Sequence, residues 1–365
     1  MELIKCKLGE LITQRREKND GSDLPICGVS KDGLIPPKQK DADTSIYNVF
    51  YRDDFIFNPA RMELNSIAIN DMYDRAICSS LYEVFYVHRT DLLLPHYLEL
   101  IIRQKWFTRY CEFLGQGSAR EYCRFGNISE IEIEFPPIEE QQKIVEYNTA
   151  IENRIALKQK INDNLLDSVQ AIFRSWFVDY DPFDGVCPSN WETGCVEDIA
   201  EFFDSMRKPL SSLERTDMER IYPYYGAVSI VDYVDDYIFD GEYLLVSEDG
   251  IYVVDENGHP LIQHISGKFW ANNHAHILKG KSGFNEDSLY LFLANTNMAP
   301  IVTGAAQPKI NQANLKSFPI TIPDSETMLK FNNIIQPFFD QRLTNESEIK
   351  KLEALQSLLL TRLVD

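Results

Sequence analysis

Two long stretches of the chain repeat apolar residues at helical spacing, and the segments before them alternate in the two-residue rhythm of strands. From about Glu139 to Trp176, Ile144, Ile151, Ile155, Ile161, Leu165, Val169, Ile172 and Trp176 recur at intervals of three, four, six or seven, with no Pro or Gly between them. This is one apolar stripe on one long helix. At 1.5 Å per residue the helix would run about 55 to 60 Å, too far for a small globular core to cover, so it needs a partner helix. The second stretch, about Ser325 to Leu363, offers Phe331, Ile334, Ile335, Phe338, Ile349, Leu352, Leu355, Leu359 and Leu363. A long connection separates the two, which predicts antiparallel packing. Pro337 predicts a kink in the second helix or a later start.

Each helix follows an alternating strand that ends in proline, where strand gives way to helix. These strands belong to an internal repeat. Gly117-Ser118-Ala119-Arg120 lies 187 residues before Gly304-Ala305-Ala306-Gln307, and Asn127-Ile128, Ile131, Ile133, Phe135 and Pro136 match Asn314-Leu315, Phe318, Ile320, Ile322 and Pro323 at the same offset. At offset 188, Phe55-Ile56-Phe57 matches Tyr243-Leu244-Leu245. The segments before the helices are rich in short β-like runs: Ile67-Ala68-Ile69-Asn70, Leu81 to Val87, and Gly250 to Val254 followed by an Asn257-Gly258 turn. Leu92 to Leu114 reads instead as a helix. The predicted fold is α+β: globular domains over 1–137 and 181–323, each followed by a long helix, over 138–180 and 324–365, with the two helices paired as an antiparallel coiled-coil spacer.

Composition narrows the class. A chain of 365 residues, 44% hydrophobic and 25% charged, has the make-up of a soluble two-domain protein. No run of about 18 apolar residues suggests a membrane span, and the N-terminus lacks the pattern of a secretory signal, so a cytoplasmic location is expected. The seven cysteines contain no C-x-x-C pair and read as reduced, mostly buried thiols. The net charge of −20 is unevenly spread. Residues 1–137 carry 17 basic and 21 acidic side chains, a balance of −4, whereas residues 181–323 carry 9 and 21, a balance of −12. Such acidity opposes simple phosphate binding unless basic residues gather on one face or partners supply the phosphate contacts.

Enzymatic signatures are missing from the sequence. There is no phosphate-binding G-x-x-x-x-G-K-[ST], no G-x-G-x-x-G after a strand and no G-x-S-x-G elbow. Asn58-Pro59-Ala60-Arg61 lacks the second proline and the aromatic residue of an amino-methyltransferase motif. His274 and His276 would share one face of a strand, but without neighbouring Cys or Glu in sequence they suggest polar recognition or structure rather than metal binding, and no metal site is expected.

The second half contains Ile221-Tyr222-Pro223-Tyr224-Tyr225-Gly226-Ala227, Phe239 to Gly250, Phe269-Trp270-Ala271-Asn272-Asn273-His274-Ala275-His276 and Gly304 to Ile310. The first contains Gly28 to Pro36, Phe57-Asn58-Pro59-Ala60-Arg61 and Phe135 to Gln141. In this order, with the repeat and the two helices, the chain resembles the specificity subunits of Type I restriction-modification enzymes over essentially its whole length. The resemblance implies two target recognition domains that read the two halves of an interrupted site in double-stranded DNA, on a helical spacer that docks two modification subunits and, where present, restriction subunits. It implies no catalysis and no cofactor in this chain; S-adenosylmethionine, ATP and Mg2+ would belong to the partner subunits.

Candidate DNA contacts combine these motifs with suitable donors: Arg15, Arg16, Ser30, Lys31, Arg61, Arg120 and Arg124 in the first domain, and Arg207, Lys208, Tyr224, Asn272, Asn273, Gln307 and Lys309 in the second. Gly33, Gly117 and Gly304 suggest tight turns. Tyr147, Phe173, Phe177, Leu358 and Leu360 lie off the helical seam and are candidate partner contacts. The competing expectation is an acidic protein-interaction scaffold or DNA mimic, which the charge of the recognition surfaces would distinguish.

Overall fold

The computed structural model describes residues 3–31, 33–37, 43–115, 122–250, 253–304 and 307–361. It divides into two compact units, Met1–Lys158 with Glu348–Asp365, and Gln159–Ser347, so each long helix contributes to both.

In the first unit, strict alternation builds two cores from one strand. Phe55 and Phe57 face a cluster with Phe85, Leu98, Ile101 and Phe107, while Ile56 between them faces Phe50, Ala76, Cys78 and Val84. The strands form two four-stranded sheets. One is antiparallel, in the order Ile12–Arg15, Glu83–Val87, Phe55–Phe57, Ile67–Ile69. The other runs Gly33–Ile35, Ile26–Ser30, Arg75–Cys78, Asn48–Tyr51, with the middle pair parallel. The helix expected over Leu92 to Leu114 is two helices, Pro95–Ile102 and Lys105–Gly115. Pro95 starts the first, since its missing N–H costs nothing in the opening turn.

The second unit has a six-stranded sheet in the order Ala200–Phe202, Ala275–Gly280, Phe239–Ser247, Ile262–Ala271, Tyr222–Tyr225, Ile230–Val234. Leu244 and Val246 face a core with Leu289, Phe292, Phe331 and Ile335, and Tyr243 and Leu245 face Phe239, Phe269 and Ile277. The strand expected over Gly250 to Val254 is not formed by its described part: Val254 makes an isolated bridge to Pro260, and Ile251 and Tyr252 lie outside the described residues. The Asn257-Gly258 turn is present, closed by Asp255, whose carboxylate accepts from the N–H groups of Asn257 and His259 at 2.8 Å each.

The repeat closes both domains alike. An antiparallel ribbon joins Ile4–Lys7 to Glu132–Phe135, and its copy joins Glu192–Cys195 to Pro319–Ile322. From each ribbon the chain passes into a long helix, Ile138–Phe177 and then Ser325–Thr361. Pro337 does not delay the second helix, because Asp324 caps its start by accepting from the N–H groups of Glu326 and Thr327.

The helices pair antiparallel within each unit. In the first, Gln356 donates to Asn148 at 3.1 Å and Glu152 at 3.2 Å, and Glu348 pairs with Lys158 at 2.6 Å. In the second, Asn345 donates to Asn162 at 2.8 Å, and Phe331 packs against Phe173 and Trp176. The seam is more polar than the apolar pattern predicts: Asn148 and Asn345 are buried, whereas Ile161 is exposed. Paired amides of this kind set register at some cost in stability. Gln141 anchors the first helix to its domain, accepting from Leu94 N–H and donating to the carbonyls of Leu92 and Pro136.

Candidate nucleic-acid interface

In the first domain a chain of hydrogen bonds gathers most of the expected cations. Arg16 is exposed and donates to Gln14 at 2.8 Å, Gln14 donates to Glu83, and Arg124, also exposed, reaches Glu83 at 3.4 Å. Cys123 N–H bonds the carbonyl of Pro59, tying the Arg124 segment to the turn Pro59–Leu64, where Arg61 is exposed. The end of that turn is tied through Ser66 Oγ to the carbonyl of Val29, beside Ser30 and the exposed Lys31 at a hairpin tip. Gly33 completes the hairpin at a φ of 112°, a conformation that favours glycine. Arg16, Ser30, Lys31, Arg61 and Arg124 therefore sit on connected segments. Arg120 and Gly117 lie outside the described residues.

Arg15 has a different place. Its guanidinium grips Asp54 through Nε at 2.6 Å and Nη2 at 3.0 Å, and stacks 4.7 and 4.6 Å from the ring centroids of Tyr51 and Tyr86. Asp54 is buried, and burial pushes its carboxyl above the ordinary value against the pull of Arg15. The expectation of a DNA contact at Arg15 is corrected: the guanidinium is committed to the buried Asp54 and to the two tyrosine rings.

In the second domain the motif segments converge on a cluster of charges. Glu248 accepts from Arg207 at 2.6 Å and from Lys309 at 2.9 Å, and lies 3.7 Å from His276. Asp204 meets His276 Nδ1 at 2.6 Å, Arg207 at 3.3 Å and the N–H of Ile277 at 2.9 Å. The other ring nitrogen of His276 lies 2.8 Å from the carbonyl of Ile310. Burial would raise both carboxyls. The hydrogen bonds of Lys309 and Arg207 hold Glu248 below its ordinary value nonetheless, as those of His276 and Ile277 hold Asp204. Asp204, Glu248 and His276 present ligand atoms within 4.8 Å of one another, a spacing that could hold a metal ion. Arg207 and Lys309 already bring positive charge to those carboxylates, so the arrangement is that of a self-neutralised ion cluster.

Around this cluster, Lys208, Asn273 and Gln307 are exposed and Lys309 is partly so. The carbonyl of Lys208 accepts from Trp270 Nε1 at 2.6 Å. Gly304 has a φ of 88°, and a Cβ there would collide with the carbonyl of Gln307, so the loop requires glycine. Asn272 is buried and caps its own turn by accepting from His274 N–H at 2.8 Å. Three further expectations are corrected: Asn272, occupied in that turn, Arg207 and Tyr224. Arg207 is absorbed in the ion cluster. Tyr224 is buried, with its hydroxyl bonded to Leu210 N–H at 2.9 Å and Arg215 stacked 4.8 Å from its ring centroid, which makes it a framework residue. The sequence reading missed Asp204, Glu248 and His276 as one group. The signal was the clustering of acids and histidines inside the motifs themselves, Ser247-Glu248-Asp249-Gly250 and His274-Ala275-His276.

On the helices, Tyr147 and Leu358 are exposed and Leu360 is half-buried. Phe173 is buried and Phe177 half-buried, both packed against the second domain's core rather than standing free as partner contacts would. Phe173 belongs to the second core, and Phe177 packs 4.7 Å, centroid to centroid, from both Phe292 and Phe331.

The two halves match, one after the other, a single family described as the Type I restriction modification DNA specificity domain, over residues 2–167 and 188–355. The chain belongs to this family. A protein of Haemophilus influenzae, provisionally named as a type I restriction enzyme specificity subunit, is 39% identical over 128 residues, which is 35% of this chain and 32% of that protein's length. The MjaIX specificity subunit of Methanocaldococcus jannaschii is 23% identical over 299 residues, covering 75% of this chain and 69% of its own. A crystal structure described as the S subunit of a Type-I restriction-modification system from M. genitalium has the same fold, with a TM-score of 0.61 over 99% of this chain and 96% of that one at 14% identity.

Proposed function

We propose that this family member is the DNA-specificity subunit of a type I restriction-modification complex. It reads an interrupted DNA site, one half-site per globular domain, and positions modification subunits on the sequence it has selected. The observation that carries this reading is the double match to the specificity family, each copy bearing its own exposed set of donors. In the first domain these are cations suited to phosphates and guanine edges, Arg16, Lys31, Arg61 and Arg124, with Ser30 beside them. In the second they are Asn273, Gln307, Lys208 and Lys309, with amides suited to adenine edges. Arg120 joins the first set by its motif.

The chemistry belongs to the partners. Two modification subunits would bring S-adenosylmethionine and methylate an adenine in each half-site, and restriction subunits, where present, would use ATP and Mg2+ to translocate and cleave. Tyr147 and Leu358, exposed apolar groups on the long helices, are proposed contacts for a modification subunit, with Leu360 beside them. The acidic-scaffold reading is the weaker one, because both halves match a DNA-specificity family and each carries exposed hydrogen-bond donors.

The test is co-expression with a type I modification subunit, followed by single-molecule sequencing of host DNA for methylated adenine. One interrupted motif, methylated on both strands and lost when this chain is omitted, is the expected result. Methylation that does not change on omission contradicts the reading.

A further inference from the structure

We infer that Glu248 is the positioning residue of the second recognition surface: its carboxylate ties the Arg207 and Lys309 segments to each other and thereby sets the base sequence that this domain accepts. The inference rests on the reading proposed above and names how one surface of it is held in shape.

The four segments are distant in sequence and joined at one point. Glu248 receives Arg207 from the segment 204–208 and Lys309 from the loop 304–310, and its N–H and C=O bond the carbonyl of His274 and the N–H of Ile310, both at 2.9 Å. Arg207 extends the junction to the carbonyl of Ala275 at 2.7 Å, and its Nε to that of Asp204 at 3.0 Å. Lys208, Asn273 and Gln307 project from these same segments, and Lys309 is itself one of the two cations held. An ionised carboxylate accepts from two cations at once in short, directional bonds. Glutamine at this position keeps the shape but offers one oxygen, and turns an NH2 group towards whichever cation the oxygen does not serve. The main-chain bonds of residue 248 do not depend on its side chain, so the sheet pairing survives the change while Arg207 and Lys309 lose their common anchor. Loop placement then varies, and discrimination between bases, which depends on bidentate geometry, falls before binding to phosphate does.

The experiment uses the whole chain co-expressed with its modification subunits, with Glu248→Gln in place of the native residue, and host DNA sequenced for methylated adenine. Degeneracy confined to one half of the motif is expected: sites with a single changed base in that half gain methylation about tenfold or more relative to the native protein, while the other half keeps its sequence. Arg207→Lys, which keeps the charge but gives up the guanidinium fork, is expected to relax the same half, and it serves as the second variant should Glu248→Gln fail to accumulate. An unchanged motif in either accumulating variant, or equal relaxation of both halves, overturns the inference. Failure of the native chain to direct methylation to an interrupted motif would instead overturn the reading beneath it.

Discussion

The two globular domains solve one problem in different ways. Both hold a buried carboxylate against a partly buried cation. The first does it with one bidentate pair, Arg15 and Asp54, caged by Tyr51 and Tyr86. The second does it with a cluster of five, Asp204, Arg207, Glu248, His276 and Lys309, that reaches the surface at Lys309. In the first domain the pair is separate from the exposed cations. In the second the same group that stabilises the fold also holds the recognition loops. The cluster pairs two carboxylates with two cations and so leaves the charge balance unchanged; the −12 of residues 181–323 is carried by other acidic side chains of that domain.

This contrast orders the expected effects of substitution. Arg15→Ala leaves Asp54 buried without its guanidinium, and is expected to cost about 3 to 5 kcal/mol in chemical denaturation, felt in the first domain. Arg207→Ala removes one cation from a cluster that keeps Lys309 and His276, so the cost is smaller, about 1.5 to 3 kcal/mol, and confined to the second domain. A larger loss at Arg207 than at Arg15 would break the comparison.

Acid sharpens it further. Asp204 and Glu248 are held below their ordinary values, so their contribution is complete above the unfolded carboxylate range, about 4, and is lost as pH falls through the lowered folded values. Asp54 is raised by burial, so its effect has the opposite sign: stability increases as pH falls from its raised value towards the unfolded one. Hydrogen exchange at neutral pH and at about pH 3.5 is expected to show the Ile277 amide, bound to Asp204, losing protection before the Tyr51 amide, bound to Asp54.

Smaller effects belong to the surfaces. Gln307→Ala is expected to relax one base position by about 1 to 3 kcal/mol. Lys31→Ala is expected to weaken binding evenly across sequences and reduce the salt slope by about 1. Both are read by titrating the complex with matched and mismatched duplexes at several salt concentrations.

The long helices were legible because a 3.6-residue apolar period leaves few alternatives, and the strand before each because the repeat marks it; the strands Ile4–Lys7 and Glu192–Cys195 that pair with them were not. What pairs the helices was less legible. Gln141, Asn148, Asn162 and Asn345 are polar and drop out of any apolar pattern, yet their amides meet partners across the seam or at the domain edge. Phe173 and Phe177 were misplaced for a related reason: a helical projection shows a second apolar face but not that Phe292 and Phe331 cover it. The ion cluster was least legible. Its directly bonded partners lie up to 73 residues apart, and an acidic residue in isolation reads as a solvated one.

The most direct test of the central claim, that each globular domain reads its own half-site, is to exchange residues 192–322, ribbon to ribbon, for the corresponding domain of a family member with a different target, and to sequence the methylated DNA. The account predicts a hybrid motif in which one half is replaced and the other retained. A motif unchanged in both halves, or changed in both, would contradict it.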